Sequence, residues 1–250
     1  MHTQPATPAD EQLQQFYAAL TERFGPQHWW PARTRLEIIL GAILTQNTAW
    51  RNAARAIKSL RAAGLLKWRE LRKASPAELE DAVRPAGFYR RKAKAIRNFL
   101  DWLERVHGGS LHKAFAIPPG ELRRQLLEIK GLGPETADAI LLYAGRRPFF
   151  VADAYTRRIL SRHGLLPDRS SYDEAQRFLH EHLPQDQSLF NDFHALLVVT
   201  GKEHCRRRAP KCDGCPLERY LPQGRPLGWQ ESDSSRRPRA AALAVEVETA

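Results

Sequence analysis

Apolar residues along this chain recur at three- and four-residue intervals. Leu13, Phe16, Tyr17, Leu20 and Phe24 fall on one face of a helix predicted over 11–24. A loop follows, with Gly25, Pro26 and Trp29-Trp30-Pro31. Residues 36–44 (LEIILGAIL) are almost continuously apolar, which predicts a central buried helix. Residues 47–63 read as a helix with an Arg/Lys face. Ser75-Pro76-Ala77-Glu78 marks a helix start, with Ser as N-cap, Pro at the first helical position and Glu closing a capping box. A long amphipathic helix is predicted over 89–106, stopped by Gly108-Gly109. Two short helices, 121–129 and 134–144, are joined by Gly131-Leu132-Gly133. Three more follow over 154–163, 172–182 and 186–200. Only 148–151 (PFFV) reads as extended, and it is too short to build a sheet. The pattern predicts an all-α chain of about ten helices. From Pro222 onward Gly, Pro, Ser, Arg and Ala dominate, so 222–250 is expected to be a disordered tail.

The Gly-Leu-Gly turn is the most informative local feature. Two glycines one residue apart force a tight turn and leave no Cβ in the way of a ligand. Pro134 starts the next helix where its missing N–H is not needed. The backbone N–H groups of such a turn can bind a phosphate oxygen without reading sequence. An ordinary αα-hairpin has the same spacing, so the spacing alone leaves both readings open.

Charge narrows the choice. Among 250 residues, 39 Lys+Arg oppose 28 Asp+Glu, a formal net charge of +11, and the cations are mostly arginine. Arginine suits phosphate because its planar fork donates two hydrogen bonds at once. The basic residues cluster around 51–73, 84–97 and 202–211. With 42% hydrophobic residues the chain can build a core, which excludes disorder throughout. No apolar run approaches the ~18 residues that span a bilayer, and no signal peptide is visible. Three cysteines are too few for a disulfide scaffold and fit a reducing compartment. The charge fits a polyanionic partner and equally a merely soluble basic protein, and the chain is expected to be a cytoplasmic monomer without membrane contact.

Taken together, four segments resemble the helix-hairpin-helix DNA glycosylase superfamily of endonuclease III. They are 36–50 (LEIILGAILTQNTAW), 83–96 (VRPAGFYRRKAKAI), the run 126–143 (LLEIKGLGPETADAILLY) followed by Val151-Ala152-Asp153, and the cysteine loop from Lys202 to Cys215. Within it, Trp29-Trp30-Pro31 and Leu44-Thr45-Gln46-Asn47-Thr48 look most like the 3-methyladenine glycosylase branch. The resemblance implies two helical subdomains with the active-site cleft between them. It divides the chain into an N-terminal segment 1–32, a six-helix-barrel-like subdomain 33–146 carrying the hairpin at 126–144, and a C-terminal subdomain 147–221 with the cysteine loop at 205–221. The tail is 222–250.

The resemblance assigns roles position by position. Asp153 matches the catalytic aspartate; a fixed carboxylate stabilises the cationic sugar formed as an N-glycosidic bond breaks. The same residue could serve only as an N-cap. Bifunctional relatives place a lysine nucleophile where this chain has Glu135, and a carboxylate forms no imine, so that lyase route is not expected. Lys130 lies on the wrong side of the turn. Gln46 matches the residue that fills the gap left by a flipped base, with Asn47 beside it. Trp29, Trp30 and Trp50 are candidate walls for a base pocket, where a Trp face would attract a cationic alkylated ring; core packing is the competing role, and Trp68 and Trp102 are assigned to core or helix-face packing. Gly131, Gly133, Lys92, Lys94, Arg206, Arg207 and Arg208 are candidate DNA contacts.

Cys205, Cys212 and Cys215 match three ligands of the family's [4Fe–4S] cluster, and Leu221 stands at the fourth position. A cluster completed by an external ligand or by a nearby one such as His204, Glu218 or Tyr220, a zinc site of three Cys and one His, and a metal-free loop all remain open. The expected activity is monofunctional excision of a damaged base, foremost 3-methyladenine, from double-stranded DNA. A mismatch or oxidised-pyrimidine glycosylase and a non-catalytic DNA or abasic-site binder are the alternatives.

Overall fold

The computed structural model describes residues 7–229. Every regular element among them is helical. Helix α1 is Pro8–Phe24. It is followed by α2 (Arg35–Leu44), α3 (Trp50–Ala62), α4 (Trp68–Lys73), α5 (Pro76–Val83), α6 (Tyr89–His107), α7 (Leu111–Ala114), α8 (Pro119–Glu128) and α9 (Pro134–Ala139). The chain closes with α10 (Ala154–Arg162), α11 (Tyr172–His182) and α12 (Gln187–Glu203). Two compact units result, one from 7–29 with 148–229 and one from 30–147. The all-α expectation holds.

In the 30–147 unit, α2 is the central element. Leu36, Ile39, Leu40, Ile43 and Leu44 are all buried, as the unbroken apolar run requires. Helices α3, α6 and α9 pack around it. Each fully buried Leu or Ile contributes about 1.5–3 kcal/mol relative to exposure. The capping box read from Ser75 and Glu78 forms, with Glu78 N–H on Ser75 Oγ at 3.2 Å and Ser75 N–H on Glu78 Oε2 at 2.7 Å. Residues 47–49 fall outside α3, because Asn47 takes a positive φ of 49°. The predicted 134–144 helix also changes character. After α9 the backbone widens into a π turn at Ile140–Ala144, closed by Gly145 N–H on Ile140 O at 2.9 Å.

In the other unit, α12 packs against both α1 and α10, and α11 packs on α1. Leu13, Phe16 and Leu20 of α1 are fully buried, as are Phe190, Phe193 and Leu196 of α12. The extended PFFV run needs no strand partner. Phe150 N–H donates to His180 Nε2 at 3.0 Å, and Phe150 O accepts from Gln176 Nε2 at 2.8 Å. The tail begins later than composition suggested. Leu227 N–H donates to Arg162 O at 2.9 Å and Trp229 Nε1 to Arg208 O at 2.8 Å, so 222–229 are held in place. The rest of the expected tail lies outside the described residues.

Candidate functional site

Asp153 sits at the start of α10 in extended conformation, where its C=O already belongs to the helix ladder. Its Oδ1 accepts from Thr156 N–H at 2.8 Å, so it is an N-cap. Its Oδ2 lies 3.7 Å from Nε2 of His194 on α12. Burial alone would raise its pKa. His194 and the Thr156 hydrogen bonds outweigh burial and hold the carboxyl below its ordinary value. The side chain keeps 14% of its surface open. A fixed, ionised, partly open carboxylate is what stabilising a developing sugar cation requires. The cap fixes the carboxylate through Oδ1 and leaves Oδ2 facing His194. His194 and Lys202 complete this site, and the sequence singled out neither for it. Trp29 belongs to the same unit, and Lys202 Nζ lies over its ring, 5.9 Å from the centroid.

The hairpin belongs to the 30–147 unit. Gly131 has φ +105°, and a Cβ there would lie 2.8 Å from Ala95 Cβ, so both backbone and packing demand glycine. Gly133 has an ordinary φ of −100° and nothing within 4 Å of where a Cβ would be. Its face is open to a ligand. The turn is held from behind. Gln46 Nε2 donates to Gly131 O at 2.9 Å and to Thr136 Oγ1 at 2.8 Å, and Asn98 Nδ2 donates to Lys130 O at 2.6 Å. Arg123 of α8 grips the fully buried Asp138 of α9 through two hydrogen bonds, at 2.7 and 3.0 Å, which locks the two helices together. Gln46 is thus tied to the hairpin, while Asn47 is exposed. Glu135 is exposed in the first turn of α9.

Trp30 and Trp50 meet edge to face, with centroids 4.9 Å apart, and Trp30 also meets the Tyr143 ring at a tilt of 46°, with centroids 5.0 Å apart. Gly41 of α2 makes room for this cluster, since a Cβ there would lie 2.9 Å from the Trp30 ring. Both tryptophans stay partly exposed. Trp102 is buried, as its core assignment expects.

The basic stretches are less uniform than the sequence suggests. Lys92 is 2% exposed and donates from Nζ to Ala86 O at 2.7 Å, which corrects its reading as a surface phosphate contact. Arg97 donates to the carbonyls of Arg72 and Ala74. The run 84–97 contains no acid, but α5 supplies two, with Asp81 paired to Arg84 and Glu80 to Arg90 at 3.8 Å. Lys94, Arg206, Arg207 and Arg208 are exposed. One residue of this segment was missed as an individual. Phe88, just ahead of α6, is 48% exposed and holds φ +46°. An exposed aromatic in a left-handed conformation was the signal.

The cysteine loop brings its three thiols to one place, with a leucine at the fourth ligand position. Cys205, Cys212 and Cys215 line a cavity of about 20 Å³, room for about one water molecule. Arg162 reaches the same place, donating to Cys205 Sγ at 3.3 Å, Arg206 O at 2.6 Å and Arg207 O at 2.9 Å. Leu221 at the fourth position is buried. Two of the candidate substitutes, His204 and Glu218, line the same cavity; His204 Nδ1 lies 3.2 Å from Lys211 O, and Glu218 Oε2 accepts from Gly214 N–H at 3.1 Å. Among the described residues no group of three or more His, Cys, Asp and Glu side chains is arranged to hold a metal ion. Burial pushes the Cys215 thiol up to about 11.

Comparison with known proteins agrees with this geometry. The HhH-GPD superfamily base excision DNA repair protein family matches residues 40–185. A Methanocaldococcus jannaschii protein carrying a provisional DNA repair glycosylase name is 41% identical over 211 residues, spanning 84% of this chain and 96% of that one. A non-covalent endonuclease III–DNA complex superposes with a TM-score of 0.73 at 21% identity, over 90% and 97% of the two chains. The Helicobacter pylori 3-methyladenine DNA glycosylase MagIII bound to 1,N6-ethenoadenine superposes with a TM-score of 0.67 at 26% identity, over 79% and 98%. With an ionised aspartate at a helix cap and a glycine hairpin open on one face, the chain belongs to the HhH-GPD superfamily and is a DNA glycosylase of base excision repair.

Proposed function

We propose that this chain hydrolyses the N-glycosidic bond of a damaged base flipped out of double-stranded DNA, and that the base is an alkylated purine such as 3-methyladenine. The observation that carries the first part is Asp153. Its carboxylate is fixed by Thr156, kept ionised beside His194 and left partly open. As the bond to the base breaks, positive charge grows on the sugar, and a preformed anion stabilises it without reorganising. An alkylated purine already carries positive charge and leaves without a general acid, so one carboxylate suffices. Glu135 leaves the position of the relatives' lyase lysine without an amine, which supports a hydrolytic base-release step.

The Trp30–Trp50–Tyr143 cluster supports the choice of base. Partly exposed Trp faces attract a cationic ring by up to about 2 kcal/mol when desolvated. Gly133 and the exposed Lys94, Arg206, Arg207 and Arg208 would bind phosphates. The likeness to a 3-methyladenine glycosylase in fold points the same way. The test is a panel of duplexes carrying methylated, deaminated, mismatched or oxidised bases. Release of methylated purines, lost in Asp153→Asn with duplex binding kept, is the expected result. Release confined to mismatched or oxidised bases would move the substrate assignment. Binding without release of any base would make the chain a non-catalytic binder.

A further inference from the structure

The C-terminal turn of α12 runs unusually close to the first turn of α10. Gly201 permits this, because a Cβ there would lie 2.3 Å from Cδ1 of Tyr155 and 2.8 Å from its Cβ. Arg158 fastens the same junction, donating from Nε to Cys205 O at 2.7 Å and from Nη2 to Gly201 O at 3.4 Å. The residue after Gly201 is Lys202. The close approach therefore delivers an amine to the end of α10 that Asp153 caps. Lys202 Nζ hangs over the Trp29 ring, and its charge and that of Asp153 act on each other. The residue as a whole is exposed. Desolvation lowers its pKa against the opposite pull of Asp153. A larger share of neutral amine makes a better nucleophile.

We propose that Lys202 supplies the amine that is absent at position 135, condensing with the abasic sugar left at Asp153 and opening the strand by β-elimination. This rests on the glycosylase reading and adds a second step to it. Neutral Nζ adds to the C1′ aldehyde of the ring-opened deoxyribose, and the C1′ oxygen departs as water, leaving an iminium. Loss of a C2′ proton to a base such as the Asp153 carboxylate forms the C2′–C3′ double bond. The C3′–O bond breaks, and the phosphate leaves with its electron pair. Water then hydrolyses the conjugated imine, freeing Lys202 and an unsaturated aldehyde. No oxidant or reductant enters.

Borohydride trapping on a duplex with a preformed abasic site tests this without requiring base release. The expected result is a covalent protein–DNA band whose peptide map places the sugar on Lys202. The band should fall at least ten-fold in Lys202→Arg and persist in Lys130→Arg. Absence of a band in the wild-type chain, an undiminished band in Lys202→Arg, or a map to another amine would overturn it. Trapping by a chain that releases no base from the lesion panel would uphold this step and sink the glycosylase reading, so the two failures are distinct.

Discussion

Asp153 Oδ2 and His194 Nε2 lie 3.7 Å apart, joining the cap of α10 to the middle of α12. The imidazole is one of the groups that hold the carboxyl below its ordinary pKa against the effect of burial. Because the folded pKa is depressed, the associated stability is fully present above the unfolded carboxyl's pKa. It is lost as pH falls through the folded value. Base release should share that acid limb. In His194→Gln the carboxyl loses the imidazole that helps hold it down, so the acid limb of the pH–rate profile should move to higher pH. A limb that stays in place would show that His194 does not tune Asp153.

The two hairpin glycines should separate stability from binding. In Gly131→Ala the new Cβ meets Ala95 at 2.8 Å on a backbone with φ +105°. Strain and overpacking of this kind cost about 1–3 kcal/mol, to be read from urea denaturation. In Gly133→Ala the Cβ meets nothing. Its stability should stay within about 0.5 kcal/mol of wild type, while affinity for duplex DNA falls. Unchanged affinity in Gly133→Ala would remove the hairpin's open face from the interface.

Lys92 and Lys94 should differ although they lie two residues apart. Burial pushes Lys92 down to about 8, while Lys94 is exposed. A lysine whose folded pKa is lowered weakens the fold while both states are protonated, and the penalty fades as pH rises through 8 toward 10.5. The stability difference between wild type and Lys92→Met should therefore shift by about 3 kcal/mol across that window. Lys94→Ala should reduce the salt dependence of DNA binding by about one released counterion, and Lys92→Met should leave it unchanged. Equal slopes in the two variants would contradict this placement.

This pair also shows what was legible in the sequence and what was not. The helices were readable because buried positions repeat at helical spacing, and Asp153 because a cap and a motif coincide there. The burial of Lys92 was readable too: it stands four residues before Ile96 and seven before Phe99, on the apolar face of α6. Counting it as one cation in a basic run hid that. Lys202 left no such trace. Its place depends on Gly201 meeting Tyr155, 46 residues earlier in the chain, and no local pattern encodes that contact. The ordering of 222–229 rests on two isolated bonds, from Leu227 and Trp229, inside a polar segment.

Phe88 should show the opposite trade from Gly131. It holds φ +46° and ψ +31° at the head of α6, a left-handed conformation that costs a non-glycine residue of order 1–3 kcal/mol, while 48% of its surface faces solvent. Packing alone does not account for that arrangement. Apolar side chains that wedge between base steps unstack and kink DNA, and Arg84, Arg90 and Arg91 flank this one. Phe88→Gly relieves the backbone, so it should unfold at a higher urea concentration, by roughly 1 kcal/mol. The same variant should bind a duplex with an abasic site several-fold more weakly. Phe88→Leu should keep most of the binding, because an apolar wedge remains. If Phe88→Gly gains stability and binds as tightly as wild type, the exposed ring has no part in the DNA interface.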